Sequence, residues 1–408
     1  MRNSRIPRPV FSLRSLVLGA TVIAAMLAVL AKLHRDDRRE ANAWKLIEAS
    51  STKLHGWPTG IEVEDFYRSD VDESSIAELG TLGRLFAPGI KYLRINQGRI
   101  DVQPCAQTSL ENIGDYRQLE FLDIRKGQFS STDAERVTEV PRLTELQFER
   151  VAICPDALSE AVADHICAVS FTACFFNTTD PRTTATMHLP ARVRISRPAT
   201  PNFASKVLCG DTRLQRVAVL QILNDGSFTG KELRCLSASS VRSLWIASCD
   251  RFDTAHIEKL LDHSMLREFS LWQTERSWPE VASIRGLDQL ETLDLFLDAI
   301  TEDLVSDISK MGNLNQLGLR FKDPLNDDQA GLLSCLNNIK VLSLGRCAGI
   351  SVDSMLTAVG KLRINTLIFQ DKKSFEKFAT PIKNAFPEIG CQRANRPIGL
   401  SKWTMLGT

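Results

Sequence analysis

Trp245, Trp272, Phe296, Arg320 and Phe321 are the residues of this chain best suited to chemistry at a surface. Exposed aromatic rings beside an arginine are the material of protein-binding hot spots. Their positions climb by 27, 24 and 24 residues before the adjacent pair Arg320–Phe321, so whatever positions them recurs. The chemistry they offer is contact. The sequence holds no C-x-x-C pair, no glycine-rich phosphate loop with lysine, no dinucleotide fingerprint, no H-E-x-x-H and no G-x-S-x-G. No catalytic, cofactor-binding or metal-binding residue is therefore expected, and the chain does not read as an enzyme. His256 and His263 lie seven apart on one expected helix and read as two solvated histidines, because no further ligands stand at metal spacing. Arg192, Arg194, Arg197 and Arg216 form a second group, read as a solvated basic face, with an acidic partner as the alternative.

What positions these residues is a repeat. The pattern apolar-x-x-apolar-x-apolar occurs twelve times between Ile90 and Phe369, with clear copies at Leu119-Leu122-Ile124, Leu143-Leu146-Phe148, Leu290-Leu293-Leu295 and Ile339-Leu342-Leu344. Its middle residues fall at Leu93, Leu122, Leu146, Val169, Val193, Val217, Leu244, Phe269, Leu293, Leu317, Leu342 and Leu367. The steps run from 23 to 29 residues, the period of a solenoid built from strand-plus-helix units. The last two apolar positions are two apart, so they share one face of a strand and form the interior. The residues between them point outward, Asp294 among them.

Amphipathic helices are expected to return the chain between strands. Ile300, Leu304, Ile308 and Met311 have helical spacing, as do Val352, Met355, Leu356 and Val359, and Ile257, Leu260 and Leu261. Asn326 and Gln329 read as a capping box. Residues 374–386, with Phe375, Phe378 and Ile382, are expected to cap the open end of the stack, followed by a loosely held tail from Gln392.

These copies resemble the leucine-rich repeat, L-x-x-L-x-L-x-x-N/C-x-L, in its cysteine-containing, ribonuclease-inhibitor-like class. Cys174, Cys249 and Cys347 occupy the N/C position, and Phe252 and Ile350 continue two of the copies. The resemblance implies an α/β fold: a curved horseshoe of about twelve repeats, parallel strands on the concave face and short helices on the convex one. It also implies that the three cysteines sit buried at the turns, and that function lies in protein recognition through the concave face. Pro190 in the first apolar slot, and the Thr-, Pro- and Arg-rich stretch 178–201, depart from the pattern and predict an irregular connector there.

The chain has 408 residues and a net charge of +1, which gives no support for a nucleic-acid partner. The ten cysteines read mainly as buried thiols, with one or two disulfides open if the domain is extracytoplasmic. Residues 1–12 form a basic tail. Residues 13–33 are apolar apart from Arg14 and Lys32, long enough for one span as a signal anchor, with a cleaved signal peptide as the alternative. Residues 34–89 read as linker and amino-terminal cap, with a helix near Trp44 and a strand at Ile61–Val63; residues 90–373 are the repeat domain, and residues 374–408 the carboxy-terminal cap and tail. The expected protein is a single-pass membrane protein with extracytoplasmic repeats, the membrane and an unidentified protein being its partners. A secreted form after cleavage and a soluble intracellular adaptor, such as a ubiquitin-ligase substrate receptor, are the alternatives. Asn177-Thr178-Thr179 matches a glycosylation acceptor.

Overall fold

The computed structural model describes residues 92–96, 110, 113, 119–176, 187–272, 284 and 286–393, except residues 202, 210–211, 237–238 and 262. The expected anchor at 13–33, the helix near Trp44, the strand at Ile61–Val63 and the acceptor at Asn177 lie outside the described residues. Among those described, no helix is long and apolar enough to cross a membrane.

The strands are β1 Tyr92–Asn96, β2 Phe121–Phe129, β3 Glu145–Ile153, β4 Ala168–Thr172, β5 Phe175–Phe176, β6 Met187–His188, β7 Arg192–Ser196 and β8 Thr212–Arg213. They continue as β9 Val219–Leu223, β10 Ser243–Ala247, β11 Glu268–Trp272, β12 Thr292–Leu297, β13 Gln316–Phe321, β14 Val341–Gly345, β15 Thr366–Phe369 and β16 Gly390–Arg393. Fourteen belong to one sheet, ordered β1-β2-β3-β4-β7-β9-β10-β11-β12-β13-β14-β15-β16, with β5 beside β3. Every pairing is parallel, and neighbouring rungs are consecutive repeats. The sheet is open. Its fold is the α/β solenoid of leucine-rich-repeat type.

The register ties the apolar positions together. Leu122, Leu146, Val169, Val193, Leu220, Leu244, Phe269, Leu293, Leu317, Leu342 and Leu367 align across the sheet, each at most 1% exposed. One expected position is corrected: the sixth rung is centred on Leu220 rather than Val217. Leu214, Val217, Leu220 and Ile222 are all buried, so this stretch satisfies the pattern in two registers three residues apart.

Backbone conformation settles the choice. Lys126, Arg150, Ala173, Arg197, Asn224, Ser248 and Arg346 have φ between 46 and 57°, and each lies four residues after an aligned middle residue. Non-glycine residues rarely adopt this left-handed conformation. Its recurrence at one repeat position marks the tight turn that leaves the strand. Asn224 takes that place only if the rung is centred on Leu220. The long 27-residue step therefore falls before this rung, from Val193 to Leu220. There the chain adds the side pairing of β6 with β8 and the helix Phe203–Cys209, in keeping with the irregular connector expected.

Rungs stack about 4.8 Å apart while packed helices need about 8–10 Å, so the sheet side is the shorter arc and the concave one. The convex connections are helices Glu302–Ser309, Asp327–Leu333 and Val352–Lys361, among others. Asn326 and Gln329 close the expected capping box. The stretch with Ile257 and Leu260 is a 3₁₀ turn, Thr254–Leu260, and its Leu261 is exposed. His263 is not solvated: it is 1% exposed and bonds Ser239 Oγ at 3.2 Å.

Helix Lys372–Ala385 connects β15 to β16 and lays Phe378 on Phe369, ring centroids 5.8 Å apart. Beyond it, Gln392 and Arg393 are held in β16 rather than in a loose tail. Their rung carries Cys391 at the middle position and no leucine pattern, so nothing in the sequence marks it.

The turn cysteines have the structural role the resemblance implies. Cys174 Sγ donates to the carbonyls of Phe148 and Thr172, and Cys249 Sγ to that of Ala247. Burial pushes the thiols of Cys174, Cys249 and Cys347 up to about 12, which keeps them protonated and unreactive. Among the other cysteines, Cys209 and Cys235 form a disulfide, within the one or two left open, and Cys167 and Cys335 depart from expectation as exposed thiols.

Candidate functional site

Alternation along each strand decides which side chains can meet a partner. Counted from the aligned middle residue, positions one and three further on face the concave surface. Trp245 sits one after Leu244; Trp272, Phe296 and Arg320 sit three after Phe269, Leu293 and Leu317. All four are half-buried. The structure brings Trp245, Trp272 and Arg320 together. The rings of Trp245 and Trp272 meet edge to face, centroids 5.9 Å apart. The Arg320 guanidinium carbon lies 4.2 Å from the Trp272 ring centroid.

Phe321 does not belong to this surface. It is 0% exposed and lies in the core. In seven repeats the fourth position after the middle residue is the left-handed turn. Strands β12 and β13 instead run one residue further, so Leu297 and Phe321 turn inward with Leu295 and Leu319.

Four polar and small residues complete the patch, and reading aromatic and basic residues alone misses them. Asp294 points outward from β12 as expected, yet it is fully buried. Gly318 makes its place: a Cβ there would stand 2.4 Å from Asp294 Oδ1. Burial pushes the Asp294 carboxyl up to about 7, against the pull of Arg320 and of the nearby Trp272 indole. The indole lies near the carboxyl without reaching hydrogen-bond geometry, so both carboxyl oxygens, Trp245 Nε1 and Trp272 Nε1 are buried with no hydrogen-bond partner. Arg320 does not supply one. Its Nε donates to Gln370 Oε1 at 2.8 Å, and Gln370 Nε2 donates to Ser343 Oγ at 2.9 Å. The signal that finds Asp294, Gly318 and Ser343 is the column one residue after each middle position, read beside the column three after.

The arginine group expected around Arg192 does not form one cluster. Arg192 and Arg194 lie on the concave face of β7, Arg197 is a left-handed turn residue, and Arg216 pairs with Glu160 and Asp164 of helix Glu160–His165. On β2 and β3, Arg125 bonds Asp123 and Glu149, each at 3.0 Å. Burial raises the Glu145 carboxyl to about 7, with Arg192 acting against it. No group of three side chains able to hold a metal ion occurs among the described residues.

No protein-family model matches the chain, and no curated protein does. Solved structures with a similar fold include an internalin from Listeria monocytogenes, at 13% identity and a TM-score of 0.37, covering 74% of this chain and 86% of that one. The Rad7–Elc1 complex of yeast is similar at 16% identity and a TM-score of 0.40, covering 93% and 92%. The TLR13–ssRNA13 complex is similar at 13% identity and a TM-score of 0.40, covering 82% and 51%. At these values the likenesses add nothing to the strand register, which by itself defines the chain as an open solenoid of leucine-rich-repeat type.

Proposed function

We propose that this chain is a membrane-tethered, non-enzymatic recognition module that takes a protein partner on its concave face. Residues 13–33 serve as a single-pass signal anchor, and the repeats lie on the extracytoplasmic side. The observation that carries the reading is the patch of Trp245, Trp272, Phe296 and Arg320 on four successive rungs. Rungs about 4.8 Å apart make it roughly 15 Å across, the scale of an interface centre. The Cys209–Cys235 disulfide favours an oxidising compartment, and so the extracytoplasmic side. The fold supplies the surface and names no ligand.

The test begins with capture of the partner by full-length protein in detergent and its identification by mass spectrometry. Trp272→Ala with Phe296→Ala is expected to weaken that complex by about 2 kcal/mol, roughly thirtyfold in Kd, with melting almost unchanged. A double variant that keeps full affinity removes the patch from the interface. One whose binding falls only as its folding falls makes the rings packing residues. Alkaline carbonate extraction tests the anchor: release of the intact chain into the supernatant would overturn the tether.

A further inference from the structure

We propose that the concave patch is selective for a cation, and that a guanidinium or ammonium side chain of the protein partner docks on the Asp294 carboxyl beside Trp272. The inference rests on the recognition reading above and names the chemistry that the surface reads.

The first ground is a local deficit of hydrogen bonds. Trp245 Nε1, Trp272 Nε1 and both Asp294 oxygens are buried without a partner, on three consecutive rungs of one face. An atom left in that state is less stable than one whose hydrogen bond is made. A core residue with that deficit would be a defect. Here the atoms lie on the outward side of the sheet, beneath side chains of the concave face rather than in the core.

The second ground is the sign of the missing group. Two carboxyl oxygens require donors. An anionic ligand would face the carboxyl, and an apolar one would leave it buried and unpaired. A guanidinium or ammonium supplies donors and charge together. The two indole N–H groups require acceptors, and the backbone carbonyls flanking a partner's basic residue supply those.

The third ground is Arg320. Its guanidinium lies on Trp272, which shows that this ring accepts a planar cation. Its Nε is taken by Gln370, whose amide is anchored in turn on Ser343, and it makes no ion pair with Asp294. The chain therefore brings a cation to the patch and holds it off the carboxyl. Gly318 and Gly345 keep the floor clear: a Cβ on Gly345 would stand 3.0 Å from Gln370 Oε1 and 3.2 Å from Arg320 Cγ. Asp294 itself has no exposed surface, so docking requires the Trp272 and Arg320 side chains to swing aside. Both are half-buried face residues rather than core.

The experiment uses the full chain in detergent with its tryptophans replaced by 5-fluorotryptophan. The probe is acetyl-Gly-Arg-Gly-amide, with the lysine peptide and the citrulline peptide, an uncharged near-isostere of arginine, beside it. Fluorine signals of Trp245 and Trp272, assigned by single Trp→Phe variants, are expected to shift saturably at millimolar arginine or lysine peptide and not with citrulline. Asp294→Asn, nearly isosteric, is expected to weaken the peptide by at least about tenfold. No shift at millimolar arginine peptide, an equal shift with citrulline, or unchanged affinity in a folded Asp294→Asn protein would each overturn the proposal. If Trp272→Ala with Phe296→Ala abolishes partner binding while Asp294→Asn changes nothing, the recognition reading stands and the cation proposal falls. If the arginine peptide binds at Asp294 while the double variant keeps its partner, the recognition reading falls instead.

Discussion

The concave face has two halves built on one register, and they differ in how their charges are paired. On β2 and β3, Arg125 answers Asp123 and Glu149 at 3.0 Å each. On β10, β11 and β12, two indole nitrogens and a whole carboxyl go unanswered, beneath rings and beside an arginine bonded elsewhere. A face whose charges are paired across its own rungs has fewer of them to offer a partner. A face with unmet donors and acceptors is less stable alone and gains when something fills it. On a repeat scaffold, where every rung presents the same two outward columns, this contrast separates the two halves more sharply than the count of aromatic rings does.

The largest expected effects lie beneath both halves and should be equal. Leu146 and Leu293 occupy the same inward position, 1% and 0% exposed, under the charged and the aromatic half. Truncating such a leucine costs about 2–5 kcal/mol, and burying a charge costs more, so Leu146→Asp and Leu293→Asp should each abolish cooperative unfolding. Circular dichroism melts check this. A tolerated Leu293→Asp would mean that the aromatic half has another register, and the comparison would lose its basis.

The core was legible in the sequence because a leucine at a fixed period has one explanation, burial in a stack. It failed where burial was too generous: around Val217 to Leu223 nearly every residue is apolar, and only the left-handed Asn224 fixes the rung. The final rung, β16, carries no apolar pattern because it is an edge with exposed Gly390, Gln392 and Arg393. Trp245, Trp272, Phe296 and Arg320 were placed on the outward face because outward positions can be counted. Phe321 was misplaced because the count cannot foresee that β13 omits the turn at its fourth position. Asp294 pointed the expected way, but its burial depends on Gly318 and on the rings above it, which come from three other repeats.

The next effect is steric and confined to the aromatic half. Gly318→Ala places a Cβ 2.4 Å from Asp294 Oδ1 and should cost about 1–3 kcal/mol. Adding Asp294→Ala removes the clash and should restore most of the loss, a coupling visible in a double-mutant cycle. On the charged half, Gln147 holds the corresponding outward position of β3, and Gln147→Ala should stay within about 0.5 kcal/mol. Additive effects of Gly318→Ala and Asp294→Ala would show that the carboxyl does not lie against that glycine.

Titration gives a smaller and directional effect. The Asp294 carboxyl is raised from 3.8 to about 7, by burial first, with Arg320 and Trp272 pulling the other way. Between those values the folded chain holds a proton that the unfolded chain has lost, so stability falls as pH rises from about 4 to 7 and stays low above. Asp294→Asn should therefore be more stabilising at pH 8 than at pH 5. The difference should exceed about 1 kcal/mol, since one pKa unit is worth about 1.4 kcal/mol. Glu145, also raised to about 7 by burial against the pull of Arg192, should behave alike in Glu145→Gln but more weakly, because water still reaches it. Urea melts at the two pH values measure both. Asp294→Asn that destabilises equally at pH 5 and pH 8 would mean that the carboxyl is satisfied after all.

The smallest effect is expected from the half with paired charges, and it sharpens the comparison by what it leaves alone. Glu149→Gln removes one of the two carboxylates on Arg125 but leaves Asp123 bonded to it. Arg125 and Glu149 are about a quarter exposed, and partly solvated ion pairs of this kind contribute about 0–1 kcal/mol. Melting should move by no more than a few degrees, and the small shift should shrink further in high salt as the pair is screened. Affinity for the captured partner should stay within about twofold, while Trp272→Ala with Phe296→Ala reduces it roughly thirtyfold. Both variants measured against the same partner decide which half binds. A large loss of affinity in Glu149→Gln with none in the aromatic variant would move the interface to the charged half, and would show that unmet polar groups on this scaffold do not mark the site.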